Sequence, residues 1–388
     1  MNDSASVSLA LAPMADDRTA GWDYVRSGGE VFESDGVWYL TSLEAVQYAH
    51  RHPELFSSAG MQALLGAPVP LVPLSIDPPD HSRFRKVLDP LFAPRVINQM
   101  EDQLRAQVRE LISAFAANGQ CDIVPDLARL YPTQVFLTLF GMPLEHRDRY
   151  LGWVETLVEQ STSGTATDEV VTAGMELFGY LQAFIEEKRA NPGDDLLSGI
   201  LALSGDEAWT NEEILGMCFL FTLAGLDTVT AAIGFVMLHL AANPGLQARL
   251  RADPKLIAPA IEEILRLELP APTTPRFTTQ DVELCGATIP QGSLVMVCIA
   301  SANRDDARFE DPSTIDVDQP ERGHLSFGGG IHRCLGSHLA RRELRLVVEE
   351  FHRAIPAYEL APDARPQVVW PSGTLHLRSL PLVFPAAG

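Results

Sequence analysis

Apolar and polar positions first form a strand pattern between Val31 and Leu40. Val31-Phe32-Glu33-Ser34 and Val37-Trp38-Tyr39-Leu40 flank the pair Asp35-Gly36, which suits the tight turn of a β-hairpin. From about Leu43 to Gly205 the spacing becomes mostly helical, with breaks expected at Pro53, Pro70, Pro94, Pro125, Pro143 and Pro192. A polar loop, Ser161 to Thr167, separates two helical stretches, and short strands are expected from Arg276 to Ser301 and in the C-terminal twenty residues. Many helices with a smaller β-rich part make a mainly α, α+β arrangement.

The longest apolar run is the most informative. Thr210 followed by Glu213 is a capping box. Apolar character then continues from Ile214 to Leu240 until Asn243-Pro244 stops it. A helix of about 32 residues is about 48 Å long, enough to cross a whole domain. The same run meets the length requirement of a transmembrane span. Asp227 at its centre costs only about 3 kcal/mol on insertion scales, so hydropathy leaves both readings open. The flanks favour a buried helix: Glu212 and Glu213 precede the run, and Arg249 lies well past its end.

Length and composition narrow the function classes. The chain has 388 residues, 46% of them hydrophobic, and no linker separates two apolar regions. One domain spanning 1–388 is the reading adopted here. A formal net charge of −22 argues against nucleic acid or anionic membrane surfaces as partners. Five scattered cysteines without a CxxC pair suit a reducing cytoplasm, and the lack of CxxCH excludes the usual covalent haem attachment. Met1 to Ala15 carries no basic, apolar leader, so a soluble cytoplasmic protein is expected.

The sharpest local signal is Phe327-Gly328-Gly329-Gly330-Ile331-His332-Arg333-Cys334-Leu335-Gly336. Three glycines let the backbone fold tightly against a flat surface. Cys334 then opens a helix expected from Leu335 to about His352, where N–H groups and the helix dipole favour thiolate over thiol. Two blander readings compete: a small core cysteine, or a glycine turn holding phosphate. A phosphate loop wants Lys and Ser or Thr after the glycines, and this one offers cysteine.

These ten residues resemble the haem-binding loop of the cytochromes P-450, Phe-Gly-x-Gly-x-His-x-Cys-x-Gly, at every fixed position. The resemblance implies a haem-thiolate monooxygenase with non-covalent haem b, set between two long helices. Cys334 would be the axial iron ligand, Phe327 would shield the sulfur, His332 would bind a propionate, and Gly336 would lie beside the cofactor. Thiolate ligation is the case that pushes electron density toward O–O cleavage.

Other segments fit the same resemblance. Glu263-Ile264-Leu265-Arg266 lies about 70 residues before Cys334, and its spacing puts both charges on one helix face. By resemblance this is the buried pair that braces the haem loop. The usual third member, an Arg before Pro, is replaced by Gln319 before Pro320. In Ala224-Gly225-Leu226-Asp227-Thr228, Gly225 costs a helix about 1 kcal/mol relative to Ala, and a buried Asp needs a partner or a purpose. The resemblance makes Ala224 and Gly225 the groove for dioxygen, and Asp227 with Thr228 the acid–alcohol pair that supplies protons. Asp77 to Arg85 resembles the propionate-binding helix, whose His81 and Arg85 share a face. Arg276 would join them, giving four basic groups with His332.

Partners and pocket follow from the resemblance. Electrons would come from a ferredoxin served by a separate reductase. Arg333, Arg341, Arg342 and Arg345 form either its docking patch, by electrostatic steering, or an ordinary solvated face. A mostly apolar small molecule would be hydroxylated or epoxidised with one atom of O₂ by a monomeric enzyme. Its pocket would draw on Gly60 to Leu74, the region around Ser161–Thr167, Leu220 to Thr228, Pro270 to Thr274 and Ser372 to Leu375. Within these, Leu64, Leu65, Val69, Leu220, Ala224, Ala271 and Thr374 are the expected lining residues. A haem-thiolate sensor or carrier, a membrane protein, and a family member that couples or cleaves C–C bonds are the competing functions.

Overall fold

The computed structural model describes residues 7–386 apart from 65, 162–166 and 319–322. Asp35 (φ 54°) and Gly36 (φ 78°) both take left-handed backbone, the geometry of a type I′ turn. They close the expected hairpin of Val31–Ser34 against Val37–Leu40, with Val31 opposite Leu40. The hairpin then joins a larger sheet. Val37–Leu40 runs parallel to Leu294–Val297, which pairs antiparallel with Thr274–Thr278, and Phe56–Ser57 closes the far edge.

Helices supply most of the remaining structure. The run after Thr210 is one helix, Asn211–Ala242, and its capping box forms from both sides. The Glu213 N–H donates to Thr210 Oγ1 at 3.2 Å, and the Thr210 N–H donates to Glu213 Oε2 at 2.7 Å. Asn243 ends this helix and caps the next one through Leu246 N at 2.9 Å. By length and composition the central helix could cross a membrane. Instead it packs against helices Leu130–Phe140, Asp168–Ala190, Ile257–Leu267 and Ser337–Ala354 and against strand His376–Leu377. Side chains such as Phe235, Val236 and Met237 are buried in that packing, each gaining about 1.5–3 kcal/mol.

Several local expectations need correction. Pro125 does not break the chain: it sits in a π-helical turn, Val124–Ala128, leading directly toward Leu130–Phe140. Two short strands, Phe56–Ser57 and Gln120–Asp122, interrupt the region expected to be mostly helical. The strand expected to reach Ser301 ends at Val297, where a short helix, Ile299–Ala302, takes over. Near the C-terminus, Val368–Val369 pairs with His376–Leu377, and Pro381–Val383 pairs with Gln120–Asp122 and Glu359–Leu360.

Candidate active site

The glycine-rich loop closes on itself before the sulfur. The Cys334 N–H donates to the Phe327 carbonyl at 2.8 Å, and the Gly328 N–H donates to Leu325 at 2.7 Å. Gly328 (φ 67°) and Gly330 (φ 61°) occupy left-handed backbone, which glycine adopts without a Cβ clash. Helix Leu43–Arg51 explains the third glycine. A Cβ on Gly329 would lie 2.8 Å from His50 Nδ1, and one on Gly330 would overlap the His50 carbonyl oxygen.

Cys334 does not open the helix. The helix is Ser337–Ala354, with Gly336 as its cap, so the sulfur stands just outside the first turn. Burial pushes the thiol up from its ordinary value, against the Gly336 N–H and the charges of Arg85, Arg341 and Arg333. The side chain nevertheless touches open space. Both statements hold for a thiol facing an internal cleft, crowded by protein at longer range. Standing outside the first turn, the sulfur gains less from the helix end than expected, and a bound cation would favour the thiolate further.

The brace behind the loop is more elaborate than its spacing implied. Arg266, only 2% exposed, bonds both oxygens of Glu263 at 3.1 and 2.9 Å. Its remaining N–H groups reach the carbonyls of Asn303 (3.1 Å), Pro312 (2.8 Å) and Thr314 (2.7 Å). Asn303 carries the connection onward: it accepts from the Leu325 N–H at 2.7 Å and donates to Ser326 Oγ at 2.9 Å. Residues 303–314 are thus held between the ion pair and the residues preceding Phe327. Gln319, which stands in place of the usual third member, lies outside the described residues. Asn303 was missed because nothing local marks it; its partners are long-range.

Midway along the otherwise buried central helix, Ala224 and Gly225 are exposed, and a Cβ on Gly225 would meet nothing within 4 Å. One helix stretch therefore faces open space. The Thr228 hydroxyl donates to the Ala224 carbonyl at 2.6 Å. Asp227 accepts a hydrogen bond from Thr374 Oγ1. Burial raises the Asp227 pKa, while the Thr374 bond and the charges of His376 and Arg129 lower it. Thr374, expected in the pocket wall, is thus engaged by the acid.

The four basic groups do come together. His81 and His332 meet edge to face with ring centroids 4.5 Å apart. Burial takes the His332 pKa down to about 3, helped by Arg276, His81, Arg85 and His50. Arg276, 7% exposed, has only the Met61 sulfur (3.4 Å) and the Pro275 carbonyl (2.7 Å) as hydrogen-bond partners among the described residues. Burial lowers its pKa to about 10. His81 Nε2 is buried with no hydrogen-bond partner among the described residues. Arg85 pairs with Asp89 at 2.8 Å and donates to the Arg333 carbonyl at 3.0 Å. His50 is a fifth member that no local pattern marked, with a buried Nδ1 that has no hydrogen-bond partner among the described residues and a pKa lowered to about 4 by burial.

The remaining expected residues divide. Leu220 is buried and Ala271 partly so, whereas Leu64 is 50% exposed. Val69 packs against the central helix at Gly216, where a Cβ would overlap the Pro70 carbonyl. Leu65 and 162–166 lie outside the described residues. Of the four arginines near Cys334, three have carboxylate partners. Arg341 pairs with Glu262 at 2.7 Å, Arg342 with Glu101, and Arg345 with Glu101 at 2.9 Å. Arg333 is exposed. A free patch of four positive charges is thereby reduced.

Comparison with known proteins agrees with this architecture. The family model described as Cytochrome P450 matches residues 33–363. A vitamin D(3) 25-hydroxylase from Pseudonocardia autotrophica is 36% identical over 84% of this chain and 82% of its own length. A methyl-branched lipid omega-hydroxylase from Mycobacterium tuberculosis is 33% identical over 86% and 81%. Among solved structures, a mutant of P450 EryK in complex with erythromycin B superimposes with a TM-score of 0.87 at 31% identity. That likeness covers 97% of this chain and 99% of the other. Over most of its length, and through the loop that carries Cys334, this chain belongs to the cytochrome P450 family and is a monooxygenase.

Proposed function

We propose that the protein hydroxylates or epoxidises a mostly apolar small molecule, with Cys334 as the sulfur ligand of its haem iron. The family's cofactor is haem b, held without covalent attachment. The residues present fit it on one observation above all: among the described residues the buried His81 Nε2 has no hydrogen-bond partner and the buried Arg276 has no carboxylate partner, and both act on His332. Beyond the effect of burial, Arg276, His81, Arg85 and His50 all lower the His332 pKa, so the cluster as a whole favours an anion. The propionates of haem provide two.

When bound, the haem supplies the iron at which dioxygen is activated, with a thiolate favouring O–O cleavage. The protein's own residues do the rest. The Gly336 N–H, Arg85, Arg341 and Arg333 all favour a negative sulfur. The Arg266 network keeps the loop before Phe327 in place. Ala224 and Gly225 leave one stretch of the central helix unobstructed. Asp227 holds a proton reserve, and the Thr228 hydroxyl, its hydrogen given to Ala224, keeps lone pairs free to accept.

The substrate class is read from the relatives, whose names record vitamin D(3), methyl-branched lipids and, for one solved neighbour, testosterone. A sterol- or lipid-like molecule suits the apolar Val69 and Leu220. Electrons are assigned to a ferredoxin and its reductase in the cytoplasm, with the exposed Arg333 as the available docking charge.

The carbon monoxide difference spectrum of the dithionite-reduced protein tests the central assignment. Wild type should give the strongly red-shifted Soret band of a thiolate-ligated haem. Cys334→His should move the band to the histidine-haem position. A red-shifted band retained by Cys334→His would remove Cys334 from the iron.

A further inference from the structure

Asp227 also lines a cleft of about 70 Å³, bounded by Arg129, Glu155, Thr230, His376 and Arg378. At its rim Arg129 pairs with Glu155 at 2.7 Å, both partly exposed. Thr374 engages two of the groups here at once. Its hydroxyl donates to the Asp227 carboxylate, and its backbone carbonyl is 3.0 Å from His376 Nδ1. A carbonyl only accepts, so Nδ1 carries the hydrogen. That fixes the tautomer and leaves Nε2 as the basic nitrogen, with no protein hydrogen bond among the described residues. Strand His376–Leu377 is itself held by pairing with Val368–Val369 and by packing on the central helix. The clamp therefore stands on two ordered elements.

We propose that Thr374 is the positioning residue that holds Asp227 for proton delivery, and that His376 passes protons from the cleft to Asp227. The proposal rests on the reading of Asp227 and Thr228 as the proton-supplying pair. Each transfer balances simply. His376 Nε2 takes a proton from water in the cleft and releases it to the Asp227 carboxylate, leaving a neutral imidazole and a carboxylic acid. The acid gives that proton up toward Thr228 and returns to carboxylate. One proton crosses from solvent and no electron moves. The other charged groups around the carboxylate are Arg129 and Glu155 on the helical side and Arg378 beside His376. The two arginines favour the carboxylate and Glu155 opposes it. The Thr374 hydrogen bond is made to the charged form, so its loss moves the acid's midpoint upward.

The test uses the haem-loaded protein and two readouts. Infrared difference spectra across pH follow the Asp227 carboxyl, identified as the band that Asp227→Asn removes. Thr374→Val should raise its midpoint by about one pH unit, whereas Thr374→Ser, which keeps the hydroxyl, should titrate like wild type. Separately, NADH is consumed through a surrogate ferredoxin and reductase. The share lost as hydrogen peroxide should rise several-fold in His376→Gln and in Asp227→Asn. A Thr374→Val midpoint equal to wild type overturns the clamp. A peroxide share unchanged in His376→Gln but raised in Asp227→Asn overturns the relay and leaves the acid's role intact. A share unchanged in Asp227→Asn as well overturns the underlying reading of the pair.

Discussion

The guanidinium of Arg341 lies over the ring of Phe327, its central carbon 4.2 Å from the ring centroid. The same guanidinium bonds both oxygens of Glu262, at 2.8 and 2.7 Å. Glu262 also holds His324 at 3.0 Å. These hydrogen bonds and the charges behind them take the Glu262 pKa down to about 2 against the effect of burial. The first residue of the sulfur loop is thus pinned by a cation that is itself pinned by a carboxylate.

Arg341→Ala should therefore cost about 1–3 kcal/mol, because it strips Glu262 of its guanidinium, leaving His324 as its partner, and removes a cation–π contact. Thermal unfolding of the haem-loaded protein checks this. Arg333→Glu tests docking more cleanly, since Arg333 is exposed. It should slow reduction by a ferredoxin several-fold at low salt, with the deficit shrinking as salt is added and the melting temperature unchanged.

Arg266→Lys should behave as a severe change despite keeping the charge. A lysine has one nitrogen, and Arg266 serves Glu263 and three carbonyls from different directions. Loss of about 3–5 kcal/mol is expected, together with a lower haem-to-protein ratio on purification. A variant of wild-type stability and haem content would refute the brace.

Two glycine substitutions should have opposite signs. Gly330→Ala places a Cβ on left-handed backbone against the His50 carbonyl, so it should destabilise the loop and impair haem retention. Gly152→Ala sits in the exposed middle of helix Arg147–Ser161 with nothing within 4 Å of the new Cβ. It should stabilise by up to about 1 kcal/mol. Parallel denaturant titrations decide both.

Protein freed of haem should lose stability as the pH falls below the ordinary histidine range. His332 and His50 have folded pKa values of about 3 and about 4, against about 6.5 for an ordinary histidine. Below that value the unfolded chain takes up protons that the folded chain refuses. Each such group costs about 1.4 kcal/mol per pH unit until its folded pKa is reached. If haem propionates neutralise the cluster as proposed, bound haem should flatten the dependence. Melting curves of both forms from pH 7 to pH 4 compare them.

Glu343 gives the reverse sign. It is buried in helix Ser337–Ala354, one carboxyl oxygen lacks a partner, and burial raises its pKa to about 8. Between the ordinary carboxylate value and about 8, the folded protein holds a proton that the unfolded chain has released, so stability falls as pH rises. Glu343→Gln should match wild type near pH 4 and exceed it at pH 8. Equal stabilities at pH 8 would mean that Glu343 has a counter-charge.

How far the sequence reached depends on the range of the interaction concerned. Asp35-Gly36 and the Thr210–Glu213 box act on their own backbone, and both formed as read. The glycine–cysteine loop and the Glu263–Arg266 spacing were likewise legible, because a turn or one helix face is fixed by neighbours in sequence. Even there the helix start was misplaced: Cys334 stands outside the helix that begins at Ser337.

Short motifs, through their resemblance to the cytochromes P-450, were enough to place the family and to single out Cys334, the set His81, Arg85, Arg276 and His332, and the Asp227-Thr228 pair as candidates, and the apolar run by itself marked the central helix. Only the tertiary structure decided what each charged or polar group touches. Thr374 reaches Asp227 across 147 positions of chain, Asn303 reaches Ser326 across 23, and Arg341 reaches Glu262 across 79. No periodicity records such pairs. A hydrogen bond is set by where packed elements place two atoms, and that placement follows from burying the whole core rather than from residues on either side.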